Sequence, residues 1–286
     1  LLVDTNRSSY PINKYLARQN YDTTVVGNNN NDVLSKISSS YINLDYSNSS
    51  EMRKLLELEQ FQYLIPGCTD VSYNICSRIN NNRFYSIDSE EVTNSLLNKK
   101  LFKNMCLKLG VPVASPIKVN ELNSYKKVII KPVDSYSGQG ISTLENPNSS
   151  NIQTYIDRAM RASIIGDYLI EEFIPGQLYS MSAFILKGSI SSKFFVQENC
   201  SASQFSVDTS CLDFSLPCHL RDQVVESTSR IVSRTQMKYG LLHVQFISNG
   251  KKFWIIEMTR RCPGDLYSLL IELSTGFPYI KNYTDP

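Results

Sequence analysis

The 286 residues are enough for a sizeable core and two or three lobes. Hydrophobic residues make up 42% and charged residues 20%, a globular composition, and a formal net charge of +2 gives no reason to expect nucleic acid as a partner. No apolar run is long enough to span a bilayer, which argues against a membrane partner. The 7 cysteines include no C-x-x-C pair, which fits free thiols in a reducing cytoplasm.

Leu1 to Asp4 reads as a first strand, Tyr10 to Gln19 as a helix, Thr23 to Val26 as a second strand and Tyr41 to Leu44 as a third. Glu51 to Glu59 is amphipathic, and Phe61 to Ile65 reads as a fourth strand before Pro66-Gly67. Strands alternating with helices imply a parallel sheet, so residues 1–87 read as a Rossmann-like unit. The unit has no G-x-G-x-x-G turn, which argues against a dinucleotide-dependent oxidoreductase. Residues 88–116 turn helical: Asp88 is placed to cap, Asn98-Lys99 interrupts the apolar face, and Gly110 with Pro112 ends it. Ile152 to Ser163 and Leu220 to Tyr239 read as further helices. Tyr168 to Phe173 reads as a strand, and Ser180 to Leu186 with Ile190 to Val196 as a hairpin. Cys211, Cys218 and His219 lack the paired spacing of a zinc site.

Three segments carry chemistry. Val128 to Ser142 runs from a β-branched strand through Lys131 and Pro132 into a loop rich in Ser and Gly, Ser135 to Gly140. Small residues let backbone N–H groups approach an anion and a lysine neutralises it, so the loop reads as a phosphate cradle, although the Walker ending is missing. Leu169 to Gly176 is a strand running into a turn; its edge and the carboxylates of Glu171 and Glu172 suit the edge of an adenine. Leu241 to Arg261 is a hairpin turning at Asn249-Gly250. A two-residue loop there pairs Gln245 with Trp254 and puts Glu257 on the other face. A three-residue loop pairs His243 with Glu257 and gathers His243, Gln245, Glu257 and Thr259 on one face. The second register is expected, because a magnesium ion needs several oxygens converging from one side.

In order and spacing these segments resemble the ATP-grasp ligases over nearly the whole chain. The resemblance implies an α/β fold, α+β in its catalytic half. It has a Rossmann-like unit (1–87), hinge helices (88–116), a small lid (117–174) and a mostly antiparallel catalytic core (175–286), with room for a further C-terminal lobe. Asn98 to Phe102 with Leu109 to Pro112 resembles the family's hinge helix, with Lys99 as its first ATP lysine. Lys131 matches the lid lysine at the α- and β-phosphates, and Ser137, Gly138, Gln139 and Gly140 match the phosphate-covering loop. Glu171, Glu172, Phe173 and Ile174 match the adenine clamp, and Gln245, Glu257 and Thr259 match the metal positions. Arg261 matches an arginine that steadies the acyl phosphate or substrate anion. Lys131, Arg261 and Glu257 are thereby the expected catalytic set.

Three positions depart from the pattern: Gln245 replaces a Glu, Thr259 replaces an Asn, and Leu178 stands where a carboxylate commonly holds the ribose. Glu257 is then the sole formal anion among the metal positions, with Asp265 close behind in sequence. The resemblance implies an ATP-dependent carboxylate–amine ligase using Mg2+, or Mn2+ in its place, and an acyl phosphate. Its substrates would be small molecules, and a homodimer would be ordinary. Ser135, Glu198, Arg260 and Arg261 are candidate substrate contacts. The three departures motivate an alternative, a catalytically degenerate module that keeps the nucleotide.

Overall fold

A computed structural model describes residues 1–136 and 138–285. Strands β1 (Leu2–Val3), β2 (Thr24–Gly27), β3 (Ser40–Asn43) and β4 (Ile65–Pro66) form a parallel sheet in the order β3-β2-β1-β4. Alternation along these short strands covers both faces. Leu2 and Val25 join Ile12 and Leu16 of α1 (Tyr10–Arg18) and Leu34 of α2 (Val33–Ile37). Leu1, Val3 and Val26 join residues of α3 (Ser49–Leu58) and α4 (Asp70–Ile79). The expected strand at Phe61 is corrected: pairing begins only at Ile65. Helix α4 escaped the sequence reading; Thr69 caps it by accepting from the Ser72 N–H.

Helix α5 (Glu90–Leu97) is capped by Ser89, whose Oγ accepts from the Val92 N–H, and not by Asp88, which is buried elsewhere. Asn98 ends α5, and its side chain caps α6 (Lys99–Lys108), so the expected interruption is a junction between two helices. A three-stranded antiparallel sheet follows, β6-β5-β7, from β5 (Lys127–Pro132), β6 (Ser142–Glu145) and β7 (Tyr168–Glu172). Ile156 and Ala159 of α7 (Gln153–Ala162) pack on Val128, Ile130 and Ile170 of this sheet.

The largest sheet is antiparallel in the order β10-β9-β8-β11-β12. Its strands are β8 (Gln177–Leu186), β9 (Ser189–Asn199), β10 (Thr209–Leu212), β11 (Gly240–Ser248) and β12 (Phe253–Thr259). One face, with Met181, Ala183, Leu242, Val244 and Phe246, packs on α8 (Cys218–Thr235) and on Phe102 and Cys106 of α6. The other face carries Ser180, Ser182, His243 and Gln245 at alternate positions of β8 and β11. Helix α8 stops at Thr235, short of the expected Tyr239, because Gln236 turns left-handed at φ 51°. Helices α9 (Tyr267–Thr275) and α10 (Tyr279–Thr284) close the chain against the first sheet.

Candidate active site

A cavity of about 840 Å³ lies between these units. Its walls come from β5 and β7 on one side, from β8, β9, β11 and β12 on another, and from the carboxyl ends of β1 and β4 on a third. The ends of parallel strands are where open α/β sheets receive ligands. Asn6, Ser8, Cys68, Thr69 and Asp70 represent that sheet in the cavity wall.

The cationic end is built on α6 and β5. Lys99 opens α6, and its Nζ donates to the Ser135 carbonyl at 2.6 Å. Lys103 lies one turn further on the same face and forms an ion pair with Glu171 Oε1 at 2.5 Å. Lys131 pairs with the other oxygen of the same carboxylate. Glu171 is 1% exposed. Burial alone would raise its pKa, but Lys131 and Lys103 outweigh that and hold it below the usual glutamate range. Burial lowers the pKa of Lys103 and of Lys99, while Glu171 and Glu257 respectively oppose it. Beyond Glu171, the cavity wall is apolar at Phe173, Ile174, Leu178 and Ile247, with Glu172 at its rim. Of the expected phosphate loop, Gly138 lines the cavity, whereas Gln139 and Gly140 complete the turn outside its wall. Ser137 lies outside the described residues. Gly138 has φ +71°, and a Cβ there would sit 2.7 Å from the Phe205 carbonyl oxygen, so only glycine lets this loop rest on the β9–β10 connection.

The hairpin departs from both expected registers. Ser248 pairs with Phe253, leaving a four-residue loop at 249–252. That loop alone would set Gln245 opposite Ile256 and turn Glu257 to the apolar face. A bulge at Ile256 restores the phase: Phe246 pairs with Ile255, Gln245 with Glu257 and His243 with Thr259. The expected His243–Glu257 pairing is therefore corrected. The common face of His243, Gln245, Glu257 and Thr259 stands, by a different route.

On that face the Gln245 Nε2 donates to Glu198 Oε2 at 2.7 Å, and the Thr259 Oγ1 donates to Asp70 Oδ1 at 3.1 Å. Asp70 also receives the Arg261 fork, Nε at 2.8 Å and Nη2 at 2.9 Å. Burial would raise the Asp70 pKa, but Arg261 outweighs it and holds the carboxyl low. Glu198 is 2% exposed, and burial first, then the charges of Asp265 and Glu257, push its pKa up to about 7. His243 stacks edge-on against Tyr267, and burial pulls its pKa down to about 3, so the ring stays neutral. Glu257 is half-buried and enters none of the side-chain ion pairs among the described residues.

Six expected residues, Lys99, Lys131, Gln245, Glu257, Thr259 and Arg261, thus line one cavity. Arg260 does not reach it. It is 3% exposed, donates to Asp88 at 2.7 Å and to the carbonyls of Lys238 and Leu241, and its expected substrate contact is corrected. Asp70 and Lys103 were missed. Lys103 is legible as the i+4 neighbour of Lys99, but nothing local marks Asp70 as the partner of an arginine 191 residues away. Among the described residues no cluster of three or more His, Cys, Asp or Glu side chains is placed to hold a metal, Cys211, Cys218 and His219 included. The donor set fits magnesium arriving on a triphosphate: the Glu257 carboxylate, the Gln245 amide oxygen and the Thr259 hydroxyl would offer protein oxygens, and the phosphates and water would supply the rest.

The sequence model of the ATP-grasp domain matches residues 124–268. A formate-dependent phosphoribosylglycinamide formyltransferase from Wigglesworthia glossinidia brevipalpis is 24% identical over 141 residues. That match covers 46% of this chain, which spans about a third of the relative's length, 36%. The phosphoribosylglycinamide synthetase of Anaerococcus prevotii superposes with a TM-score of 0.76 at 17% identity, over 98% of this chain and 72% of that one. The biotin carboxylase domain of the Hydrogenobacter thermophilus 2-oxoglutarate carboxylase, solved with MgADP and bicarbonate, gives 0.78 at 16% identity over 98% and 67%. The L-amino acid ligase of Bacillus licheniformis gives 0.76 at 15% identity over 98% and 71%. At these identities the likeness to solved structures is one of fold. With a family match across half the chain, and with the lysines of α6 and β5 lining one cavity with Glu257 of the hairpin, this chain belongs to the ATP-grasp family.

Proposed function

We propose that the chain is an ATP-dependent ligase that joins a small-molecule carboxylate to an amine. The observation that carries this reading is the meeting of Lys99, Lys131, Glu257 and Arg261 in one cavity with an apolar end at Phe173 and Ile174. The adenine would occupy the apolar end, edge-on to β7. The phosphates would lie between Lys99, Lys131 and the loop at Gly138. A substrate carboxylate oxygen would attack the γ-phosphorus as the bond to the bridging oxygen breaks, giving ADP and an acyl phosphate. An amine nitrogen would then attack the acyl carbon, inorganic phosphate would leave, and the nitrogen would lose a proton. Magnesium, when bound, neutralises charge on the phosphate oxygens; Glu257, Gln245 and Thr259 would hold it. Lys99, Lys131 and Arg261 would stabilise charge as it shifts toward the leaving groups. The loop resting on Phe205 would keep water from the acyl phosphate.

The domain division at residues 87, 116 and 174, the cytoplasmic location and a homodimeric state belong to the same proposal. The test is ADP release across a panel of acids and amines. Lys131→Ala and Glu257→Ala are each expected to lower it more than about 100-fold while leaving the circular dichroism spectrum unchanged. Turnover retained in either variant would overturn the assignment. One observation favours the second reading, a nucleotide-binding module without catalysis: two of the three metal positions are uncharged. Calorimetric binding of Mg-ATP with no ADP formed across the panel would select it.

A further inference from the structure

Gln245 and Thr259 share a property beyond their lack of charge. Each is neutral, each stands at a metal position implied by the family, and each donates to a carboxylate from another part of the chain. Behind Gln245 stands Glu198 of β9, 2.7 Å from the amide nitrogen and 2% exposed. Behind Thr259 stands Asp70 of α4, 3.1 Å from the hydroxyl. The amide donates its NH2 to a Glu198 oxygen and so presents its own oxygen the other way. The threonine directs its proton to Asp70 and accepts from the Arg261 N–H at 3.5 Å, which leaves one lone pair for the cavity. Glu198 and Asp70 both line that cavity.

We infer that Glu198 and Asp70 are positioning residues for the divalent cation of the nucleotide site, fixing the Gln245 and Thr259 oxygens toward it. This rests on the ligase reading only to the extent that a metal–nucleotide complex binds. Partners behind metal ligands orient them and raise their donor strength, and losing one typically costs about 10- to 100-fold in metal affinity. Asp70 has a second duty in holding Arg261, so Glu198 gives the cleaner measurement.

The experiment is Mn2+ binding, followed by the electron paramagnetic resonance signal of the free ion, to the full chain saturated with a non-hydrolysable ATP analogue. Glu198→Gln is expected to weaken Mn2+ roughly 10- to 100-fold. Affinity for the metal-free analogue should stay within about twofold, because Glu198 touches none of the lysines that would hold phosphate. The exchange variant Glu198→Gln with Gln245→Glu moves the carboxyl group forward and keeps one hydrogen bond between the two side chains. It is expected to recover Mn2+ affinity to within about threefold of the parent, and the unchanged affinity of Glu198→Gln for the metal-free analogue is the outcome that a merely structural Glu198 would not produce. Unchanged Mn2+ affinity in folded Glu198→Gln, or failure of the exchange to restore it, would overturn the inference. If the parent chain itself bound neither analogue nor Mn2+, the nucleotide reading would fall, and the two failures are thereby distinguishable.

Discussion

Glu171 sits under two lysines. It is 1% exposed, Lys103 is 3% exposed and Lys131 is 6% exposed. Burying three charges is costly, and the arrangement persists because one carboxylate answers both ammonium groups. The group keeps a net positive charge beside Lys99, which suits a polyanionic ligand. Removing the central charge would leave two buried lysines without a counter-ion. Glu171→Gln is therefore expected to destabilise the protein by about 3–5 kcal/mol, read as a lower urea midpoint at neutral pH. The pH dependence carries a definite sign. The folded pKa of Glu171 lies below its ordinary value, so the unfolded chain binds the proton first as pH falls. Its stabilisation is complete above the usual glutamate range and is lost as pH drops through the lowered folded value. Urea midpoints at pH 7 and pH 4 should therefore differ more in the parent than in Glu171→Gln; equal differences would assign the acid sensitivity to other groups.

The bulge at Ile256 is the element on which the polar face of the hairpin depends. Period-two alternation made His243, Gln245, Glu257 and Thr259 legible as one polar face, yet no residue type announces a bulge. Loop length and bulge each shift the phase by one, so two unread features cancelled. The helices followed the same logic: α6 and α8 were legible from apolar spacing, while α4 was hidden by a Gly-Cys-Thr-Asp entry that reads as a loop. Contacts across the fold, such as Asp70 with Arg261, have no local signature at all. The glycine loop was legible because conformation and composition coincide. Gly138→Ala places a Cβ against the Phe205 carbonyl oxygen at 2.7 Å and forces a left-handed alanine. Its expected effect is an ATP-analogue affinity about tenfold weaker by calorimetry, with a melting temperature within about 3 °C of the parent, since the loop adds little to the core. Unaltered affinity would mean that the loop does not close on the nucleotide.

Across the whole molecule, the cavity exists only while the parallel sheet and the five-stranded sheet keep their relative placement. Arg260 and Asp88 hold part of that seam. The guanidinium binds Asp88 and the carbonyls where β11 begins, and Asp88 also accepts from the Lys238 N–H at 2.6 Å and from the Tyr73 hydroxyl of α4 at 3.3 Å. Adjacent arginines thus divide the labour: Arg261 faces the cavity through Asp70, and Arg260 ties the wall together from behind. Arg260→Met would strand Asp88 in the interior, at a cost of about 3–5 kcal/mol. Adding Asp88→Asn removes the stranded charge and should recover a good part of that loss. In the double variant, analogue affinity is expected within about threefold of the parent, because neither side chain lines the ligand end of the cavity. A double variant as stable as the parent that nonetheless bound nucleotide or substrate far more weakly would return Arg260 to the site, and the division between the two arginines would fail.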